Sequence, residues 1–87
     1  MSTIDLMRQR LALLAPHDLQ IGDDSAQHAG HEGAKSGGGH YHVRIVSSQF
    51  TGLAKIACHR LVYDALGDLM RREIHALAID ARPPDPA

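Results

Sequence analysis

Histidine is the residue type in this chain with the clearest capacity for chemistry. The sequence holds seven histidines but one cysteine and no tryptophan, and three of the histidines fall within residues 37–66. Neutral imidazole is a common metal ligand, a general base and a group that titrates near physiological pH. The seven histidines are His17, His28, His31, His40, His42, His59 and His75.

One pair of histidines has a spacing that a metal could use. His40 and His42 alternate with apolar residues, which places both rings on one face of a predicted strand, where they could chelate a divalent ion. The alternation already accounts for them as residues of the exposed face, and we favour that interpretation. His28 and His31 lie among glycines, without a large apolar neighbour to anchor them in a core.

Cys58 directly precedes His59, so a mixed thiolate and imidazole site has to be considered. Successive helical residues point about 100° apart, so these two side chains diverge. Cys58 falls on the apolar stripe of its helix, whereas His59 lies with Lys55 and Tyr63 on the polar side. We therefore predict that Cys58 is a buried apolar residue and not a ligand.

Composition narrows the classes of function. The 87 residues are 44% apolar with a net charge of -1, so the totals predict one modest core and do not favour a polybasic, nucleic-acid-binding surface. A single cysteine cannot form an internal disulfide, and no charged-then-apolar leader opens the chain. No apolar run is long enough to span a bilayer. We expect a cytoplasmic protein with no membrane association.

A helix is predicted at the start of the chain, over residues 3–15. Its apolar residues recur at helical spacing, and Pro16 ends it. Ser2 or Thr3 is the candidate N-cap, with Asp5 in the first turn. The predicted buried stripe is Ile4, Met7, Leu11 and Leu14.

Two strands are predicted on either side of a loop. Leu19 and Ile21 alternate with polar residues, which predicts the first strand. Residues 26–39 are rich in glycine and histidine and predict a mobile loop. The second strand alternates Tyr41, Val43 and Ile45 on a buried face with His40, His42 and Arg44 on the other.

A second helix is predicted over residues 53–70, and Gly67 is expected to bend or divide it. Residues 74–81 predict a third strand, and the proline-rich residues 82–87 predict a frayed tail. The predicted core stripe of the second helix is Ala54, Ala57, Leu61, Ala65 and Leu69.

The order helix, strand, strand, helix, strand predicts an α+β fold. A small three-stranded sheet would be covered on one face by the helices. We expect residues 1–87 to form a single domain.

Several short motifs, in the same order, resemble the BolA family. The similarity runs from about Leu6 to Ala81, with Asp24 and Ser25 at the first strand end and QHAGHEGA as the variable loop. One residue departs from the family pattern: Cys58 stands where the family usually has the first Arg of Arg-His-Arg, which removes a positive charge from the helix. The matching motifs are Val46-Ser47, Phe50-Thr51-Gly52, His59-Arg60-Leu61-Val62-Tyr63 and His75-Ala76-Leu77.

The resemblance implies a fold similar to the type II KH domain and a partnership with a monothiol glutaredoxin. Such pairs share a [2Fe-2S] cluster held by a glutaredoxin cysteine, glutathione and a histidine of the BolA-like subunit. No cofactor is then expected to be tightly bound to the isolated protein, which we expect to be a monomer or weak dimer. Some bacterial relatives are described as transcriptional regulators linked to stress.

The resemblance also selects histidines. His75 matches the family histidine implicated as a cluster ligand, and strand alternation predicts that it shares a face with Leu77 and Ile79, partly shielded at the rim. The alternative is a half-buried histidine bonded to a carbonyl. In the loop, where the family places a second histidine or cysteine ligand, His28 fits better than His31. The alternative there is a solvated loop that binds nothing.

DNA binding is the competing hypothesis, because KH domains hold nucleic acid with a Gly-x-x-Gly loop between two helices. Here Gly30-His31-Glu32-Gly33 lies between two strands, and Glu32 would repel phosphate. No catalytic triad, carboxylate pair or phosphate-binding loop is visible, so we do not expect an enzyme.

The basic residues of the helices have two interpretations: a face that binds DNA or a partner, and an ordinary solvated surface. The candidate contacts to DNA or a partner are Lys55, His59, Arg60, Arg71 and Arg72.

Overall fold

The computed structural model describes residues 2–25 and 39–85. The α+β class and the order α-β-β-α-β are confirmed, with one further short helix before the last strand. The described residues include short 3-10 turns at Ala12–Leu14 and Ser48–Phe50. The helices and strands are α1 (Thr3–Leu11), β1 (Asp18–Asp23), β2 (Gly39–Val46), α2 (Lys55–Leu66), α3 (Leu69–Arg72) and β3 (Ile74–Arg82).

The three strands form one mixed sheet in the order β1-β2-β3. β1 pairs antiparallel with β2, with Ile21 opposite Val43, and β2 pairs parallel with β3, with Val43 opposite Ile79. Parallel neighbours require a crossover connection, which α2 and α3 supply. The predicted boundaries shift slightly, because Gly39 already belongs to β2 and Arg82 still belongs to β3.

The first helix begins as predicted and ends earlier. Ser2 caps it: the Ser2 hydroxyl accepts the Asp5 N–H, and the Asp5 carboxylate accepts the Ser2 N–H, a reciprocal capping box. The α-helical hydrogen bonding stops at Leu11 and a 3-10 turn follows. Ala15 takes the left-handed conformation at φ 48°. Since the residue before a proline is disfavoured in the right-handed helical region, Pro16 accounts for this end.

The second helix is divided at Gly67, as its sequence predicted. Gly67 ends α2 at φ 58°, a conformation that glycine adopts without steric cost. The predicted core stripe holds in part: Leu61 and Ala65 are half-buried and pack against the core, whereas Ala54 is exposed. The buried predictions that hold are Leu69 and Cys58, the latter 3% exposed. The residues of α2 that enter the core are Cys58, Val62 and Leu66.

One hydrophobic core lies between the helices and the covered face of the sheet, with Met7, Leu11, Val43 and Ile45 at its centre. Ser47, the one buried polar residue of the described chain, joins three elements beside it. Its hydroxyl donates to the Leu14 carbonyl at 2.6 Å and accepts the Gln49 N–H at 3.1 Å, so burial costs it no hydrogen bond. No helix of the described residues is long and apolar enough to cross a membrane.

Truncating the core should cost far more stability than the same change on the surface. Leu66 is fully buried, whereas Leu13 is 73% exposed. We expect Leu66→Ala to lower the free energy of unfolding by about 2–5 kcal/mol. Leu13→Ala should change it by less than about 0.5 kcal/mol. Urea unfolding followed by circular dichroism measures both, and equal losses would contradict the position of the core.

Candidate functional site

β1 ends and β2 begins at one end of the sheet, which we call the loop end of the sheet. The Asp24 N–H donates to the His40 carbonyl at 2.7 Å, and the His40 N–H donates to the Ser25 hydroxyl at 3.1 Å. β3 also starts there, since the Gly39 N–H donates to the Glu73 carbonyl at 3.0 Å. Three strand ends are thus fixed to one another by backbone contacts.

His75 lies at the loop end as the extra residue of a β-bulge. Gly39 is opposite Ile74 and His40 is opposite Ala76, so His75 has no partner of its own in β2. A bulge reverses the alternation of faces on either side of it. Ile74 therefore enters the core, and His75 is exposed. The predicted position of His75, partly shielded on the same face as Leu77, is wrong for this reason.

The exposed ring of His75 contacts a second imidazole. Its centroid lies 5.3 Å from that of His40, with the two ring planes tilted by 55°. His40 itself is half-buried. The ring of His40 therefore limits the orientations open to His75, and two imidazoles stand side by side at the loop end. Alternation in the sequence pairs His40 with His42, whereas the contact with His75 depends on the register between β2 and β3.

His42 is on the exposed face, as predicted, and is bound to a carboxylate. Its Nδ1 lies 2.9 Å and 3.1 Å from the two Asp24 oxygens. The ring extends over Gly22, where a methyl group would overlap it. This pair connects the exposed face of β2 to Asp24, which directly follows β1.

The predicted loop ligands His28 and His31 lie outside the described residues. Within residues 2–25 and 39–85, no three side chains of His, Cys, Asp or Glu come together as a metal site. His40 and His75 are therefore the two imidazoles that the structure places in contact at the loop end.

The predicted basic contacts do not form one cluster. Lys55 opens α2, and Arg71 and Arg72 belong to α3 beyond its other end, so an α2 of 12 residues separates them by roughly 18 Å. Arg72 is also paired with Asp68 at 3.5 Å. Arg60 is exposed on α2, and the predicted grouping of His59 with Lys55 is retained in a groove beside β3.

The comparison with known families decides where this fold belongs. A sequence model of the BolA-like protein family matches residues 11–86. The chain belongs to the BolA-like family. Protein BOLA1 of Arabidopsis thaliana, a chloroplastic protein, is 42% identical over 82 residues, which cover 90% of this chain and 51% of that protein. SufE-like protein 1 of the same plant is 41% identical over 76 residues, covering 82% of this chain and 20% of its own length.

Solved BolA structures have the same fold. BolA1 from Arabidopsis thaliana superposes with a TM-score of 0.82 at 35% identity, covering 100% of this chain and 98% of that one. The BolA domain of SufE1 gives a TM-score of 0.76 at 41% identity, covering 90% of this chain and 87% of that one.

A relative described as a regulator is also similar in sequence. The DNA-binding transcriptional regulator BolA of Vibrio cholerae is 41% identical over 64 residues, covering 74% of this chain and 58% of its own length. The chain thus spans from 20% to about half of the length of the first curated relatives.

Removing the His75 imidazole should leave the fold intact. The ring is exposed and lies outside the core. We expect His75→Ala to change the free energy of unfolding by less than about 0.5 kcal/mol, as exposed substitutions usually do. Urea unfolding measures this, and a loss above about 2 kcal/mol would make His75 a structural residue.

Proposed function

We propose that this BolA-like protein is an adaptor that pairs with a monothiol glutaredoxin and shares a [2Fe-2S] cluster with it. The observation that supports this most directly is the exposed imidazole of His75 beside His40 at the loop end of the sheet. A ligand shared between two proteins must be reachable from outside, and His75 is. The output would be cluster trafficking, or regulation linked to iron, redox state and stress.

The donor set fits such a cluster. Neutral imidazole replaces thiolate on iron in known [2Fe-2S] centres. A cluster with histidine ligands transfers one electron, at a higher reduction potential than a cluster with thiolate ligands alone. In this chain His75 would supply a nitrogen lone pair, and the tilted ring of His40 would restrict its rotation. A ligand held in one orientation loses less conformational freedom on binding.

A second ligand from the loop would complete the contribution of this chain, and His28 is our candidate ahead of His31. The hydrogen bonds of Asp24 and Ser25 hold these two residues, which precede that segment, against the backbone of His40. A ligand on a loop pays ordering entropy when it binds, so its bond to iron would exchange more readily than that of His75. Ready exchange would suit a cluster that is passed on.

The cluster proposal predicts a spectrum that depends on one ring. Visible circular dichroism would be recorded for a monothiol glutaredoxin with glutathione, iron and sulfide, alone and with this protein. We expect the wild type to produce a new spectrum and His75→Ala to abolish or alter it. His17→Ala is the matched control, because His17 is also exposed but lies beside Val46, on the order of 20 Å away at the other end of β2.

The same variants separate ligation from docking. Size-exclusion chromatography of the two proteins without iron should show equal complex formation for the wild type, His75→Ala and His17→Ala. A spectrum unchanged by adding the wild-type protein would refute the shared cluster. A wild-type spectrum with His75→Ala would refute His75 as the ligand.

DNA-dependent regulation is the second candidate, and the Vibrio cholerae relative named as a DNA-binding regulator is the observation that favours it. The predicted basic contacts support it less well, because Lys55 lies at one end of α2, Arg71 and Arg72 lie beyond the other end, and the net charge is -1. We therefore rank it below the cluster proposal.

DNA binding would be recognised by its dependence on salt. Association with a duplex should weaken linearly in logarithmic plots as salt rises, and Lys55→Ala or Arg60→Ala should each reduce the slope by about 1. Fluorescence anisotropy of a labelled duplex measures the slope. Binding that is absent at about 50 mM salt, or indifferent to salt, would exclude this function.

A further inference from the structure

A groove of about 530 Å³ lies far from the paired histidines, between β3 and the first turns of α2. On the helix side, Lys55, Cys58 and His59 follow the i, i+3, i+4 spacing of a single helix face. On the sheet side the groove follows the last part of β3 and continues to Pro83. The residues along it are Leu53, Lys55, Cys58, His59 and residues 79–83.

The groove runs along the unpaired edge of β3 and not only over one face of the strand. Alternate side chains of a strand point to opposite faces, so the consecutive residues 79–83 can line one groove only if it runs along the strand edge. β3 is also an edge strand, since it pairs only with β2 within the described sheet. An edge strand offers backbone groups to another extended chain.

The backbone of β3 indicates which groups face outward. The Arg82 carbonyl accepts the Ser47 N–H at 3.0 Å, on the side of the strand that β2 occupies. Alternate residues of a strand direct their N–H and C=O groups to opposite sides. Ile79 and Ala81 therefore direct theirs away from β2, toward the groove.

The charged side chains that line the groove are Lys55, Asp80 and Arg82, whose formal charges sum to +1. The Arg82 guanidinium is bound to the Asp80 carboxylate through two contacts of 2.7 Å and 3.0 Å, which lower the pKa of Asp80 and offset the charge of Arg82. Lys55 is exposed, and it lies close enough to Asp80 to help Arg82 lower the pKa of that carboxylate. It stands at the start of α2, whose first turn holds no acidic residue. Leu53 adds an apolar wall that is 43% exposed.

We propose that this groove binds an extended acidic peptide segment, which adds to the sheet as a fourth strand beside β3. Strand addition to a free edge, with side-chain pockets for selectivity, is an established mode of peptide recognition. The outward groups of Ile79 and Ala81 include both donors and acceptors, which match a peptide backbone. A nucleic-acid backbone offers phosphate acceptors without the complementary donors, so the edge favours a peptide. Lys55 selects acidic side chains.

The probe is a fluorescein-labelled, acetylated octapeptide that alternates valine and glutamate, tested against the whole chain by fluorescence anisotropy. We expect it to bind, with amide chemical-shift changes confined to β3 and the first turns of α2 in two-dimensional NMR spectra. The same peptide with valine and lysine should bind at least tenfold more weakly. A peptide with every backbone amide N-methylated keeps the charges, and it should lose binding because it cannot complete the ladder.

Two variants of this protein test whether Lys55 determines peptide affinity. Lys55→Glu should weaken binding of the glutamate peptide at least fivefold. It should leave α2 folded, since an acidic residue in the first turn suits the helix dipole. Arg8→Glu makes the same charge change on the exposed part of α1 and should leave peptide affinity unchanged. Far-ultraviolet circular dichroism of both variants verifies the fold.

Several outcomes would overturn the proposal. One is the absence of measurable binding at millimolar peptide; another is equal affinity for the N-methylated peptide, which would mean charge attraction without strand pairing. Equal weakening by Lys55→Glu and Arg8→Glu would mean that overall charge alone is responsible. A single-stranded oligonucleotide that binds the groove more tightly than the peptide, with Lys55 dependence, would assign it to nucleic acid.

Discussion

The parallel pairing of β2 with β3, offset by one residue at His75, is the constraint on which the arrangement of both surfaces depends. The offset forces the side chain at position 75 out of the alternation, so a histidine there faces solvent while Ile74 seals the core. The same pairing leaves the opposite side of β3 as a sheet edge. A regular ladder would have buried His75 and separated it from His40.

The residues that stabilise the fold and the histidines that could bind a ligand lie in different parts of the molecule. The core consists mainly of aliphatic side chains from the helices, β2 and the start of β3, together with Phe50 and Cys58, and it includes none of the histidines. The imidazoles of His40, His42 and His75 lie at the loop end, where backbone hydrogen bonds and the Asp24–His42 pair hold the strand ends. Changes to the exposed imidazoles can therefore alter binding with little effect on folding, which makes the function of such a small domain open to mutational analysis.

Much of the fold follows from local signals. Alternation along β2, the Ser2 cap and the division at Gly67 each depend on neighbours in sequence, and all three were predictable. The core stripe of α2 was predictable only in part, because alanines on several sides of the helix give a weak apolar pattern, and the contact of the larger Leu66 was missed. The bulge at His75 and its contact with His40 depend on how distant strands pair, which no single stretch of sequence records. The family resemblance selected His75 without indicating its surroundings, and His28 lies beyond the described residues.

The close fit of the His42 ring over Gly22 has a consequence for the evolution of this surface. Any side chain at position 22 would occupy the space of that ring, so the two positions are not free to change independently. A relative that carries a larger residue at position 22 must turn the side chain at position 42 elsewhere or shorten it, and the carboxylate at position 24 then loses its partner. Substitutions at these three positions are expected to have accumulated together, as a unit that spans β1, β2 and the entry to the variable loop.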